Sequence, residues 1–320
     1  MDGQAELNVI TAPDDPLAVR IRRAAEAEHR RGHTEIIVEN EPNIAGAVAA
    51  GVELLYLFAS PKLAQHSLVR ELGVSTPVAV VPDEVLAELF QRTRMPDIFA
   101  LARLPEKKRF RAFAASTGDI VVLDGIDGPG NIGSILRSAS AFEAGGIVAL
   151  NQQHNDIYRR GIIRASAGTM FSLPIVTAKN EEFLRFCQAS DTRIVTTSSH
   201  ADGESFEEVV TSTQRFAFVL GSESRGCSRE LEAAADLRCR IPMSRDVESL
   251  NVSSAASVLL FARYRGRAEA KGAKLNNLIL SCSRRSGWSA PPAPGRPPAA
   301  PLSTAQNGSS ACGTFGQRSV

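Results

Sequence analysis

Apolar runs of about five residues recur along this chain, each closed by small or polar residues, and between most of them the apolar positions fall at helical spacing. In the first third, Asp15 and Pro16 open a helix that reaches about His29, and residues 34–39 read as a strand. Asn40, Glu41 and Pro42 start a second helix with a capping side chain and an early proline. Residues 54–59 and 78–81 are further strands, bracketed by helices near 62–72 and 83–91, and 99–104 closes the set.

The pattern resumes after residue 118, with strands at 119–124, 146–150, 174–176, 193–197, 216–220 and 239–241. Helices fall at 131–143 and 251–265. Strands alternating with helices predict an α/β protein whose second sheet is mostly parallel and covered on both faces. The chain therefore reads as an α/β unit over 1–105, a basic linker over 106–117 and a larger α/β domain over 118–265. The tail, 266–320, holds PPAPGRPPAAP and runs of Ser, Gly and Ala that cannot bury a core, so it is expected to be disordered.

Two loops stand out. The strand at 216–220 ends in Gly221, Ser222, Glu223 and Gly226, a tight polar turn. Ile241, Pro242 and Met243 repeat the pattern, and Ser249, Asn251 and Ser253 offer caps just before the apolar stretch from Ala255 to Tyr264. Ligands of open α/β sheets sit beyond the carboxyl ends of the strands, so these loops are where a small cofactor is expected.

Composition narrows the field. The chain has 320 residues, 43% of them apolar, with no run of membrane-spanning length and no basic, apolar leader at its start, which predicts a cytoplasmic protein. Its five cysteines are widely spaced and read as reduced thiols, Cys227 beside Gly226 included. Net charge is +1, but residues 266–320 hold seven basic and one acidic side chain, against 29 and 34 in the rest. Any contact with nucleic acid must then use local patches. The candidates are Arg20, Arg22, Arg23, Arg30 and Arg31 on the first helix, and Arg103, Lys107, Lys108, Arg109 and Arg111 with Phe110 and Phe113 interleaved; an ordinary solvated surface is the alternative.

Gly128, Gly130 and Gly133 spell the GxGxxG of dinucleotide folds, but Pro129 sits inside the turn and the next strand ends in Asn151 instead of an acid. The stretch reads better as Asn131-x-Gly133-x-x-x-Arg137. Asn131 caps a helix, and Gly133 and Arg137 share a face where a phosphate approaches a residue without a side chain. His29 and His33 share a helix face but lack further ligands, so no metal is expected.

Three motifs thus stand in order: NIGSILR at 131–137, LGSESRG at 220–226 and IPMSRDVESLNVSSA at 241–255. Together they resemble the signature motifs of the SpoU (TrmH-like) branch of the SPOUT RNA methyltransferases. The first unit and RASAGTMFSLPIV at 164–176 are similar to the thiostrepton and nosiheptide resistance 23S rRNA methyltransferases. The resemblance implies an L30e-like RNA-binding domain followed by a SPOUT domain with a deep trefoil knot, paired as a homodimer through the catalytic domains. It implies S-adenosylmethionine as methyl donor, 23S rRNA as partner and no membrane. Asn131, Arg137, Glu223, Ser249 and Asn251 match its catalytic positions. Thr197, Leu220, Gly221, Ser222, Glu223, Gly226, Ile241, Met243, Leu250 and Val252 match those that enclose the donor. Arg22, Arg23, Lys107, Lys108, Arg109, Arg137 and Arg164 are the expected RNA contacts, and Ala167 stands where related sequences tend to carry a second arginine. The implied activity is 2′-O-methylation of an adenosine in the GTPase-associated loop. Another rRNA or tRNA ribose, or a catalytically silent RNA binder, is the alternative.

Overall fold

The computed structural model describes residues 8–26, 32–90, 96–197, 206–244 and 246–270. The helix expected to reach His29 is described as far as Glu26, and Arg30, Arg31 and the residues from 271 onward lie outside the described part.

The first sheet joins β1 (Asn8–Val9), β2 (Glu35–Glu39), β3 (Leu54–Ala59), β4 (Val78–Val80) and β5 (Ile98–Arg103) in the order β1-β4-β3-β5-β2. β1, β4 and β3 run parallel, whereas β5 is antiparallel to both of its neighbours. Side chains of a strand alternate between faces. Ile37, Phe58, Phe99 and Leu101 therefore point one way, under α1 (Pro16–Glu26) and α4 (Asp83–Phe90), with Phe58 stacked on Phe99 at 4.8 Å. Ile36, Val38, Leu57 and Ala100 point the other way, toward α2 (Glu41–Ala49) and α3 (Ser67–Leu72), and join the core of the second sheet. Each such buried aliphatic or aromatic side chain stabilises the fold by about 1.5–3 kcal/mol.

The second sheet holds β6 (Ile120–Asp124), β7 (Gly146–Leu150), β8 (Ile175–Ala178), β9 (Arg193–Thr197), β10 (Phe216–Gly221) and β11 (Leu237–Cys239). Its order is β11-β9-β10-β6-β7-β8, and every pairing is parallel. Val121, Leu123, Phe218 and Leu220 pack on α5 (Pro129–Ala141) and α11 (Val252–Ala270). Ile120, Val122, Ala217 and Val219 pack on α8 (Asn180–Ala189) and α10 (Arg229–Ala234). Burial on both faces explains why these strands are apolar throughout.

Several boundaries differ from the sequence reading. The last strand lies two residues earlier, because Leu237 and Cys239 pair with Val195 and Thr197, and the chain leaves the sheet before Pro242, which has no N–H to donate. The helix assigned to 131–143 begins at Pro129 with Gly128 as its N-cap, so Asn131 lies inside the first turn and does not cap. The segment 106–117 is only partly a linker. Residues Phe110–Ala115 form a 3-10 helix in which Phe113 is buried and Phe110 stacks on Phe186 at 4.5 Å. Finally, α11 runs on to Ala270. Gly266 and Ala268 are buried, and Arg267 reaches Asp119 at 3.2 Å, so the first residues assigned to the tail belong to the folded core.

Two buried arginines hold elements in place. Arg160 of α7 (Arg160–Ser166) binds Glu39 of the first sheet through Nε at 2.5 Å and lies over the Phe90 ring at 4.4 Å. Arg263 of α11 binds Asp119 at 2.8 Å and donates to the Val209 carbonyl at 2.9 Å, at the end of α9 (Phe206–Thr211). The second anchor fixes the helix whose opposite end enters the candidate site.

Candidate functional site

The two loops singled out in the sequence, with the end of β9, enclose a cavity of about 520 Å³ at the carboxyl edge of the second sheet. That is inside the range of roughly 300–1,000 Å³ typical of small-molecule sites. The first loop is closed on itself: Ser222 N–H donates to the Gly226 carbonyl at 3.1 Å, and Gly226 N–H to the Ser222 carbonyl at 2.8 Å. Gly226 has φ +67°, a conformation that favours glycine, and a Cβ on Gly221 would strike the Gly226 backbone. Asp124, buried at the end of β6, accepts from the Ser228 N–H at 2.6 Å and pins the loop where it enters α10.

At this site the three motifs meet in a closed triangle of side chains. Asn251 Nδ2 donates to Glu223 Oε1 at 2.7 Å and to Asn131 Oδ1 at 3.1 Å, and Asn131 Nδ2 donates to the same Glu223 oxygen at 3.2 Å. Asn251 Oδ1 also accepts from the Ser253 N–H at 3.0 Å, capping α11 as the sequence suggested. The residues are exposed or half-buried, so the triangle faces solvent and can meet a large substrate. Leu250 is 37% and Val247 48% exposed.

Of the residues expected to enclose a donor, Thr197, Gly221, Ser222, Glu223, Gly226, Ile241, Met243, Leu250 and Val252 line the cavity, as does Ser249. Leu220 does not: it points into the core with 1% exposure. Sequence reasoning did not place Ser224, Arg225, Glu232, Cys239 and Ala255 among the lining residues. The first two sit inside the second motif, whereas Glu232 is brought in by α10 and carried no signal of its own. Cys227 also lines the wall, and its thiol is pushed up to about 12 by burial, which leaves it protonated and unreactive near neutral pH.

Arg137 stands apart. It is exposed, forms no hydrogen bond or ion pair with a described residue, and lies about 9 Å along the helix axis from Asn131 by the ordinary rise of 1.5 Å per residue. Gly133 does not leave room for a phosphate beside it, contrary to the sequence reading. A Cβ there would lie 2.9 Å from Ser166 N and closer still to Ala165, so the glycine lets α5 and α7 touch. Next to Arg137, Ser138 Oγ meets Ser257 Oγ of α11 at 2.7 Å.

The expected RNA contacts are spread over the surface. Arg23, Lys107, Lys108 and Arg109 are exposed, and Arg22 is half-buried with Nη2 on the Pro13 carbonyl at 3.3 Å. Arg164 lies 3.7 Å from Glu39, so part of its charge is already matched, and Ala167 ends α7 in the left-handed region at φ +50°. His33 is described and His29 is not; the His33 carbonyl accepts from Asn155 Nδ2 at 3.3 Å. Among the described residues no helix is long and apolar enough to cross a membrane.

Comparison with known proteins agrees with this geometry. The profile of the SpoU rRNA Methylase family matches residues 119–261, and that of the thiostrepton-resistance methylase N terminus matches residues 7–116. The 23S rRNA (adenosine(1067)-2′-O)-methyltransferase of Streptomyces azureus is 34% identical over 261 residues, which cover 81% of this chain and 96% of that protein. Among solved structures, an RNA 2′-O ribose methyltransferase aligns with a TM-score of 0.69 at 29% identity, over 81% of this chain and 99% of the other. A SpoU methyltransferase from Streptomyces viridochromogenes, solved with AdoMet, aligns at 0.68 and 26% identity over 78% and 97%. With its three motifs joined by the Asn131–Glu223–Asn251 hydrogen bonds and a relative matched over nearly its whole length, this chain belongs to the SpoU rRNA methylase family.

Proposed function

We propose that this protein transfers a methyl group from S-adenosylmethionine to the 2′-oxygen of an adenosine in the GTPase-associated loop of 23S rRNA, and so confers resistance to thiazole-peptide antibiotics. The observation that carries the reading is the Asn131–Glu223–Asn251 triangle beside a cavity of cofactor size. The similarity to the Streptomyces azureus enzyme, whose name specifies this chemistry, supports the choice of substrate.

The cavity suits the donor. Its wall combines the backbone of the Ser222–Gly226 turn with the small or apolar Thr197, Ile241, Met243 and Leu250, a lining that accepts a flat base and reads its edges through main-chain amides and carbonyls. When bound, S-adenosylmethionine supplies an electrophilic methyl group. The protein's own part is to hold the ribose hydroxyl in line and to keep water away, and orientation alone supplies much of such a barrier reduction. Glu223 Oε1 is occupied by two amide donors, which fixes the carboxylate and leaves its second oxygen to accept from the incoming hydroxyl. Ser249, on the same cavity wall, helps to hold the nucleotide.

Arg137 presents a guanidinium fork of five N–H donors and no acceptor, so its role in this reading is to grip phosphate and offset negative charge on the attacking oxygen. It makes no hydrogen bond to the triangle in its own chain. It adjoins Ser138, which touches α11 where Val258 and Phe261 are 41% and 46% exposed. A homodimer through these helices would cover the apolar pair and bring Arg137 to the face of a second copy. In this reading the knotted arrangement of the loops and an L30e-like grip on RNA by Arg22, Arg23, Lys107, Lys108, Arg109 and Arg164 complete the molecule.

The test is transfer of labelled methyl to unmodified 23S rRNA, with the product mapped by reverse-transcription stops at low nucleotide concentration. A single stop at an adenosine of the GTPase-associated loop is expected. A stop elsewhere would replace the substrate, and no transfer to any rRNA would overturn the reading.

A further inference from the structure

Glu232 is the one carboxylate of the cavity wall that no motif supplies. α10 begins after Ser228, with the Glu232 N–H on the Ser228 carbonyl at 3.0 Å, and the Glu232 side chain lines the cavity together with Thr197, Cys227 and Cys239. Its contacts among the described residues are uneven. Oε2 receives the hydroxyl of the fully buried Thr196 at 3.5 Å and the Arg238 Nε at 3.4 Å, and the Cys227 thiol is hydrogen-bonded to the same carboxylate. Arg238 also donates through Nη2 to the Glu232 carbonyl at 3.4 Å, which holds the pair together.

This arrangement separates the charge of the carboxylate from its capacity as an acceptor. Arg238 already offsets the negative charge, so a second cation in the cavity would gain little from Glu232. A neutral hydroxyl gains more, because a carboxylate has about four acceptor sites, so that the contacts from Thr196, Arg238 and Cys227 leave room for another donor in a half-buried setting, and hydrogen bonds to such groups are the stronger kind. Carboxylates near the carboxyl ends of parallel strands hold ribose hydroxyls in other open α/β sheets for the same reason. The remaining walls are backbone, small or apolar, except for Glu223, whose Oε1 is taken by two amides, and Arg225.

Resting on the cofactor assignment above, we propose that Glu232 binds the ribose hydroxyls of the donor's adenosine and so selects nucleoside donors with an intact ribose. It is a binding residue of the site with no part in the transfer itself. Leucine in its place would keep the bulk and remove the acceptor; glutamine would keep one oxygen and remove the charge.

The experiment is calorimetric titration of wild type, Glu232→Leu and Glu232→Gln with S-adenosylhomocysteine and its 2′-deoxy and 3′-deoxy counterparts. Wild type is expected to lose about 10-fold or more in affinity when the contacted hydroxyl is removed. Glu232→Leu is expected to bind the intact compound about that much more weakly and no longer to distinguish it from the deoxy forms, with Glu232→Gln in between. Equal discrimination by wild type and both variants would overturn the proposal while leaving the cofactor assignment standing. Failure of wild type to bind any of the three compounds would remove that assignment and this proposal together. Should Glu232→Leu melt early, Glu232→Gln, nearly isosteric, carries the comparison.

Discussion

Asn251 and Glu223 meet at 2.7 Å, joining two loops that leave different strands of the same sheet. The contact does two things at once. Through Nδ2, Asn251 holds the Glu223 carboxylate, and through Oδ1 it caps α11 on the Ser253 N–H at 3.0 Å. The position of the Ser222–Gly226 loop is thereby tied to the start of α11, the longest helix among the described residues.

Substitutions at Asn251 can separate these roles. Asn251→Ala removes both, and the lost cap alone costs about 1 kcal/mol. Asn251→Ser restores a capping oxygen without reaching Glu223. The serine variant should melt close to wild type yet turn over about 100-fold more slowly, the scale of loss that a misplaced reactant brings. Equal activity of the serine variant and wild type, in single-turnover assays, would remove Asn251 from the positioning of Glu223.

Gly133 tests the contact between α5 and α7. Alanine in an exposed helix gains about 1 kcal/mol over glycine. Here the new Cβ would meet Ala165 and, at 2.9 Å, the backbone nitrogen of Ser166, neither of which can swing away. Overpacking of this kind costs about 1–3 kcal/mol, so the clash outweighs the gain. Gly133→Ala should lower the urea midpoint, and a rise would show that the helices separate freely.

Arg263 is buried at 1% exposure and paired with Asp119. Removing one partner of a buried ion pair costs about 3–5 kcal/mol. Asp119 keeps Arg267 at 3.2 Å and the Phe216 N–H at 2.9 Å, so Arg263→Met should fall at the low end of that range. Equilibrium unfolding measures it; a change below about 1 kcal/mol would mean that the pair is nearly neutral in balance, as some buried pairs are.

His154 makes stability depend on pH. Its Nε2 meets the Pro105 carbonyl at 2.7 Å, and its Nδ1 is buried with no hydrogen-bond partner among the described residues. Burial holds the ring below its ordinary value of 6.5, with Lys107 adding to the effect. The unfolded chain therefore takes up a proton more readily than the folded one, and stability rises with pH across the window between the two values. The contribution is complete above about 6.5 and is lost as pH falls below it. Urea midpoints of wild type should drop more steeply than those of His154→Gln between about pH 6.5 and pH 5; parallel curves would clear His154 of the effect.

Much of the site could be read from the chain because its residues lie in short motifs whose types report local demands. Gly221, Ser222, Glu223 and Gly226 announce a tight turn after a strand, and Asn251 before an apolar helical stretch announces a cap. The strands of the second sheet were legible for a different reason. Burial on both faces makes each a continuous apolar run, and such runs bounded by small residues are hard to mistake.

Tertiary structure decided what spacing along the chain does not encode. Glu232 entered the cavity because α10 folds back against the end of β9, and nothing in its neighbours marks it as part of a site. Gly133 proved to serve the packing of two helices, since a bare helix face looks the same in sequence whether it awaits a ligand or Ala165. Arg137 stands in the same motif as Asn131, yet a helix turns 100° per residue, so six positions carry it to a different side and about 9 Å away. Types and periods are local properties and were written in the sequence; which atoms share a cavity depends on distances between elements, which only the packed core determines.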